Sequence, residues 1–393
     1  MGNSVTETRK KILVVAGEAS GDILGANMIR AALELDSDLS FYGVAGPRMQ
    51  SVGCTLLRPA SDLAVMGLAE VLRHLPRIWS VYREIKGALH SKDMRPDVVV
   101  LIDSPDFNLR IAKMARKAGV PVLYYVSPQV WAWRRGRVRT IARDVDKLAA
   151  LLPFEPEYYA GLDIDVRYVG HPLLDEAVVE TSAAEFRLQH GLERDYPVIG
   201  LLPGSRRNEI HYALPAIIEA AKILKQRYPK AGFLLPVASG LDRELLQQPI
   251  RASGLDVELV DDTIYTSVAA CDVVVAVSGT VTLQTALVQT PMVIIYKGSP
   301  FTYAIGKHLV SISHFGLPNI VAGRRVIPEL LQHDATPEAI ATEVECIIED
   351  PDYRDTMLAD LGEIRSRMGT PGCAERVARM VLELCQKGDF EKG

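Results

Sequence analysis

The chain is short of cysteine, of aromatic residues, of excess charge and of long apolar runs. Each shortage excludes something. Its five cysteines (Cys54, Cys271, Cys346, Cys373 and Cys385) are scattered over 393 residues with no C-x-x-C pair. That spacing predicts a reducing compartment and no structural zinc. The eight histidines lack an H-E-x-x-H spacing, and the D-x-D pairs at 36–38 and 163–165 stand away from strand carboxyl ends, so no metal is expected. A net charge of −5 argues against general nucleic-acid binding. No apolar run is long enough to span a bilayer, and residues 1–10 are polar and lead into a strand, unlike a secretory leader. A cytoplasmic chain that meets membranes only from the surface is the expectation.

The apolar content of 48 % with 24 % charged residues indicates a globular chain, and the length suggests two domains. Strand-length runs recur at Lys11–Gly17, Phe41–Gly46, Asp97–Asp103, Val120–Ser127, Lys147–Pro153 and Val166–Gly170. They are continuous in Val, Ile and Leu rather than alternating, which predicts parallel strands covered on both faces. Helical spacing fills Ser20–Leu35 and Pro105–Lys117 between them. This is the rhythm of a doubly wound α/β fold. It breaks over His171–Tyr196, where Ser182 and Glu185 form a capping-box pattern. It restarts with Val198–Leu202, Gly232–Val237, Val257–Val260, Asp272–Val277 and Met292–Tyr296. Domains at 1–172 and 173–372 follow, with a cleft between them, and the tail from Thr336 reads as helices broken near Gly369–Gly372.

In such sheets ligands bind beyond the carboxyl ends of strands, so the loops there carry the candidates. The second half has Pro203-Gly204-Ser205-Arg206 and Ser278-Gly279-Thr280, each after a buried strand. Such turns into helices offer backbone N–H groups to phosphate, and Arg206 adds a forked cation. Gln284, one turn beyond Thr280, faces the same way and suits a ribose hydroxyl. The first half has Gly17-Glu18-Ala19-Ser20-Gly21-Asp22, which is not G-x-G-x-x-G; Gly43 to Gly46 stand where a dinucleotide site needs an acid. Its plain alternative is a tight turn with Ser20 as N-cap. Asp103 ends the run Val98–Ile102 and is placed to accept a hydroxyl proton. Asp106 falls in the first turn of a helix opened by Ser104-Pro105, where the dipole favours it for structural reasons, although the residues alone leave it open as the base. The stretch 62–89 mixes Met66, Leu68, Val71, Leu72, Leu75, Ile78 and Trp79 with Arg73, Arg77 and Arg83, and Trp131, Trp133, Arg134, Arg135, Arg137 and Arg139 form a second such cluster. A helix in a bilayer interface and ordinary packing with a basic rim both fit that mixture.

These motifs, in this order, resemble those of the lipid-A-disaccharide synthase family. The matching stretches are Ala16–Asp22, Gly43–Met49, Ala64–Gly67, Ile102–Asn108, Tyr125–Arg134, Leu152–Glu155, Leu202–Arg206, Ser278–Thr280 and Leu317–Asn319. The resemblance implies a GT-B fold, two Rossmann-like domains facing across a cleft, with the last helix (about 373–393) returning to the first domain. It implies transfer of 2,3-diacylglucosamine from its UDP conjugate to 2,3-diacylglucosamine 1-phosphate on the cytoplasmic face of the inner membrane. No cofactor or metal is implied, and a homodimer is an expected arrangement. Asp103 then becomes the base; Gly204, Ser205, Arg206, Ser278, Gly279, Thr280, Gln284 and Asn319 the UDP set; and Gly17, Glu18, Ser20, Gly21 and Asp22 the acceptor loop. Met66, Leu68, Val71, Leu72, Leu75 and Trp79 become the membrane contact. The family commonly has Glu at Gln284; Glu accepts from two ribose hydroxyls, whereas Gln offers one acceptor and one donor. A relative acting on another UDP-N-acetylglucosamine-type substrate (an epimerase or a peptidoglycan glycosyltransferase) and a non-catalytic nucleotide-sugar binding module are the rival readings.

Overall fold

A computed structural model describes residues 9–63, 68–132, 136–299 and 314–390. Two compact units emerge, one formed by 1–172 with 370–393 and the other by 173–369. Each is built on a parallel sheet.

The first unit has strands β1 (Lys10–Ala16), β2 (Leu39–Ala45), β3 (Thr55–Pro59), β4 (Val98–Ile102), β5 (Val122–Tyr125), β6 (Lys147–Ala150) and β7 (Asp165–Tyr168). Their order is β3-β2-β1-β4-β5-β6-β7, all parallel. The centre of this sheet is dry: Ile12 to Val15, Val98 to Ile102 and Val122 to Tyr124 are fully buried. Helices cover both faces, as the unbroken apolar runs require. One cluster joins β1 and β4 to the helix Ala19–Leu35 and to Val377, Val381 and Leu384 of the helix Cys373–Phe390. The other packs Val81, Ile85 and Leu89 of the helix Leu68–His90, with Ile111 and Ala115 of Pro105–Lys117, on the opposite face.

The second unit has β8 (Val198–Leu202), β9 (Gly232–Pro236), β10 (Glu258–Val260), β11 (Val273–Val277), β12 (Met292–Tyr296) and β13 (Glu329–Leu331), in the parallel order β10-β9-β8-β11-β12-β13. Ser182 and Glu185 form the capping box that the sequence predicts. Strands β3 and β13 are additions to the sequence reading.

Both sheets reverse winding direction at a central pair, β1 beside β4 and β8 beside β11. At such a switch the two following loops diverge and leave a crevice at the strands' carboxyl ends. The loops so placed are Gly17–Asp22 and Asp103–Ser104 in the first unit, and Pro203–Arg206 and Ser278–Thr280 in the second. Within the first unit Arg376 ties two backbone segments together: its Nε donates to Val169 O at 2.7 Å and its Nη2 to Thr370 O at 2.7 Å.

Candidate functional site

Asp103 follows β4 in a left-handed conformation, φ 50°, and Ser104 continues it at φ 44°. For non-glycine residues this costs about 1–2 kcal/mol each. The surrounding bonds hold it in place. The Asp103 N–H donates to Tyr125 O at 3.0 Å. Its carbonyl accepts from Tyr124 Oη at 2.6 Å and from Asn108 Nδ2 at 2.8 Å. With both backbone polar atoms engaged, the backbone that carries the carboxylate is fixed. Burial raises its pKa above the ordinary carboxylate value and the Glu18 carboxylate raises it further, against a lowering hydrogen bond from the Ser104 N–H. A carboxylate of raised basicity at a strand tip can take a hydroxyl proton. Asp106 differs: it is exposed and paired with Arg137 in the first helical turn.

The Gly17–Asp22 loop divides into two roles. Gly17 lies so close to the neighbouring loop that a Cβ there would meet Ser104 Oγ at 2.7 Å. Glu18 and Ser20 are exposed. The helix begins at Ala19 with Glu18 at the N-cap, so Ser20 is not the cap that the sequence suggested. Gly21 lets the helix approach Ala16, where a Cβ would stand 3.3 Å away. Asp22 is a correction to the acceptor set. It is 4 % exposed, and its carboxylate accepts from the N–H groups of Gly46 (2.8 Å), Arg48 (2.9 Å) and Met49 (3.1 Å). It holds the start of the short helix Pro47–Ser51.

The loop after β5 is held by Glu155, which the sequence reading named in a matching stretch without giving it a role. Its carboxylate accepts from Trp131 Nε1 at 3.3 Å and from the N–H groups of Leu151 and Leu152 at 3.0 Å. Burial pushes its pKa up to about 7 despite those three donors.

The second switch point opens into a cavity of about 830 Å³ whose wall includes Gly204, Ser205, Arg206, Gly279, Thr280 and Gln284. Gly204 has φ 106°, a conformation that glycine takes without strain. Arg206 is the N-cap of the helix Arg207–Arg227 and its side chain is 73 % exposed. Gly279 and Thr280, at the start of the helix Thr280–Leu287, are exposed to the cavity. The Gln284 side chain hydrogen-bonds the Tyr265 hydroxyl, whose own proton goes to Leu173 O at 3.2 Å. Gln284 also lines the cavity, and its amide carries both an acceptor and a donor group. The cavity has a further wall that sequence reasoning missed, Val237 to Leu241 with Asp261 and Asp262. These segments follow β9 and β10, so the strand-end rule used for the other loops points to them too.

Two members of the expected UDP set have other work. The Ser278 N–H donates to Ile295 O at 2.8 Å and its Oγ to Phe315 O at 3.0 Å, so neither donor is left for phosphate. Asn319 is fully buried. Its Nδ2 donates to Ile327 O (2.9 Å) and Glu329 Oε1 (2.8 Å), and its Oδ1 accepts from the N–H groups of Val326 (2.8 Å) and Ile327 (2.9 Å). All four hydrogen-bonding positions of that amide are filled within the chain. Ser278 lines the cavity with its two donors already engaged, whereas Asn319 stands outside the lining and braces a neighbouring loop.

Of the expected membrane-contact residues, Met66 lies outside the described residues, as do the side chains of Leu68, Val71 and Leu72 and the residues Trp133, Arg134 and Arg135 of the second cluster. Leu75 and Trp79, one helical turn apart, are 46 % and 61 % exposed, with the Arg83 guanidinium 5.0 Å from the Trp79 ring. Among the described residues no helix is long and apolar enough to cross a membrane. Nor does any group of three or more His, Cys, Asp or Glu side chains converge there to hold a metal.

Comparison with known proteins sorts these features. Residues 12–367 match the family model described as lipid-A-disaccharide synthetase. The chain belongs to the lipid-A-disaccharide synthase family. Members from Syntrophotalea carbinolica and Geobacter metallireducens are 54 % and 47 % identical to it, covering 96 % and 97 % of this chain and 96 % and 99 % of theirs. As a synthase of this family it is an enzyme, a glycosyltransferase of lipid A synthesis. Solved structures agree on the GT-B fold class. The calicheamicin glycosyltransferase CalG4 matches with TM-score 0.61 at 16 % identity, covering 96 % of this chain and 98 % of that one. A UDP-GlcNAc 2-epimerase from Neisseria meningitidis bound to UDP-GlcNAc matches with TM-score 0.58 at 16 % identity, over 95 % of this chain and all (100 %) of that one.

Proposed function

We propose that this synthase moves 2,3-diacylglucosamine from its UDP conjugate to the 6-hydroxyl of 2,3-diacylglucosamine 1-phosphate, with inversion, giving the β-1,6 disaccharide 1-phosphate and UDP. The observation that carries this reading is Asp103: a carboxylate of raised pKa on a pinned, left-handed backbone at a switch point. Asp103 takes the proton of the attacking hydroxyl. Negative charge grows on the departing diphosphate, and Arg206 with the N–H groups around Gly279 and Thr280 stabilises it. The Gln284 carbonyl accepts from a ribose hydroxyl. Glu18 stands beside the base and supports its proton affinity. Leu75 and Trp79, with Arg77 and Arg83, bring the enzyme to the surface that holds its acylated substrates, since exposed aromatic and aliphatic groups beside cations suit a bilayer interface.

The test is incubation with UDP-diacylglucosamine and the monosaccharide 1-phosphate, following UDP and disaccharide. Acceptor-dependent UDP release with formation of the disaccharide is expected. UDP release that ignores the acceptor, or no release from this pair, removes the substrate assignment.

A further inference from the structure

The chain supplies its own anion to the loop after β8. Glu209 Oε2 accepts from the Ser205 N–H at 3.0 Å and the Arg206 N–H at 3.3 Å, and its Oε1 accepts from Arg206 Nη1 at 2.9 Å. Gly204 is packed so tightly beneath this carboxylate that a Cβ there would lie 2.5 Å from Glu209 Oε2. Two adjacent amides and a guanidinium make a donor set suited to a phosphoryl group. Glu209 itself lines the cavity of about 830 Å³.

A capping box accounts for part of this arrangement, because the third helical residue often returns its carboxylate to the N-cap N–H. It does not account for the Ser205 amide or for the Arg206 guanidinium. The UDP reading assigns Arg206 to the diphosphate, and Ser205 belongs to the UDP set expected from the sequence. A carboxylate and a diphosphate are both anions and cannot share the same donors without strong repulsion.

Resting on the UDP reading above, we propose that Glu209 is an internal competitor for the diphosphate. It keeps the Ser205 and Arg206 donors in an anion-binding arrangement, yields them when the nucleotide binds, and retakes them as UDP leaves. Both partners have room to move, since the Arg206 and Glu209 side chains are 73 % and 28 % exposed.

Calorimetric titration of UDP and of uridine into the full-length wild type, Glu209→Gln and Glu209→Ala tests this. Removal of the competing charge is expected to tighten UDP about five- to tenfold, tenfold being about 1.4 kcal/mol. Uridine affinity stays the same, and the unliganded variants melt earlier because the helix start has lost a cap. Glu209→Gln keeps the shape and one acceptor, so it carries the test if the alanine variant does not fold. UDP affinity that is unchanged or weaker shows Glu209 to be a cap alone and overturns the proposal, and so does an equal gain for uridine. A wild type that binds no UDP overturns the UDP reading itself, which separates the two failures.

Discussion

Asp103 and Glu18 are two carboxylates near one strand tip, and their difference in environment sets their tasks. Asp103 is partly buried and its pKa is raised, first by that burial and then by Glu18. Asp103→Asn keeps the shape and removes the proton acceptor. Turnover is expected to fall by about 10²–10⁴, the usual contribution of a general base, with UDP affinity unchanged. Steady-state kinetics beside UDP calorimetry check both halves; near-normal turnover removes Asp103 from the base role. Glu18→Gln gives the sign of the coupling. The base works deprotonated, so activity is lost as pH falls through its pKa. Without the Glu18 charge that pKa drops, and the acid limb of the pH–rate profile moves to lower pH. An acid limb that stays in place or moves up contradicts the coupling. The sequence showed which residues stand at the ends of the central strands, because each of those is a continuous apolar run with a clear stop. It did not show which polar residues face a ligand. Asn319, Ser278 and Asp22 have the same chemistry whether they meet a nucleotide or a distant loop, and their partners come from chain segments that only folding brings near.

The loops beside the cavity depend on buried polar joints. Glu329 in β13 accepts from the N–H groups of Phe315 (3.0 Å) and Gly316 (2.8 Å) and from Asn319. Asn319→Ala leaves several of these groups buried without partners, at about 1–3 kcal/mol for each. A melting temperature lowered by several degrees is expected, with UDP affinity little changed in the fraction that remains folded. A large loss of UDP affinity without loss of stability restores Asn319 to the contact set. The strands missed from the sequence share a cause. β13 is three residues long, and β3 reads Thr-Leu-Leu-Arg-Pro with no buried position. Both lie at the edge of a sheet, where a strand needs no continuous buried run, and neither has one.

For the molecule as a whole, the two-domain α/β plan was legible because winding order follows from the alternation of apolar strands and amphipathic helices. Membrane behaviour was less so. Leu75 and Trp79 look like core residues by type and are exposed by position. Trp79→Glu is expected to lower binding to anionic phospholipid vesicles about tenfold by removing apolar area and adding a like charge, while short-chain soluble substrates turn over as before. Co-sedimentation with vesicles and a soluble-substrate assay report the two effects. Equal vesicle binding by both proteins ends the membrane role of this face.

The helix Cys373–Phe390 fills the core of the first sheet, with Val377, Val381 and Leu384 against the same cluster as Ile12 and Val100. During translation the whole of 173–369 is made before that helix. Until it is made, one face of the first sheet is covered by the helix Ala19–Leu35 without its neighbour. The half that is synthesised first is therefore completed after the second, and its apolar surface stays exposed for longer on the nascent chain.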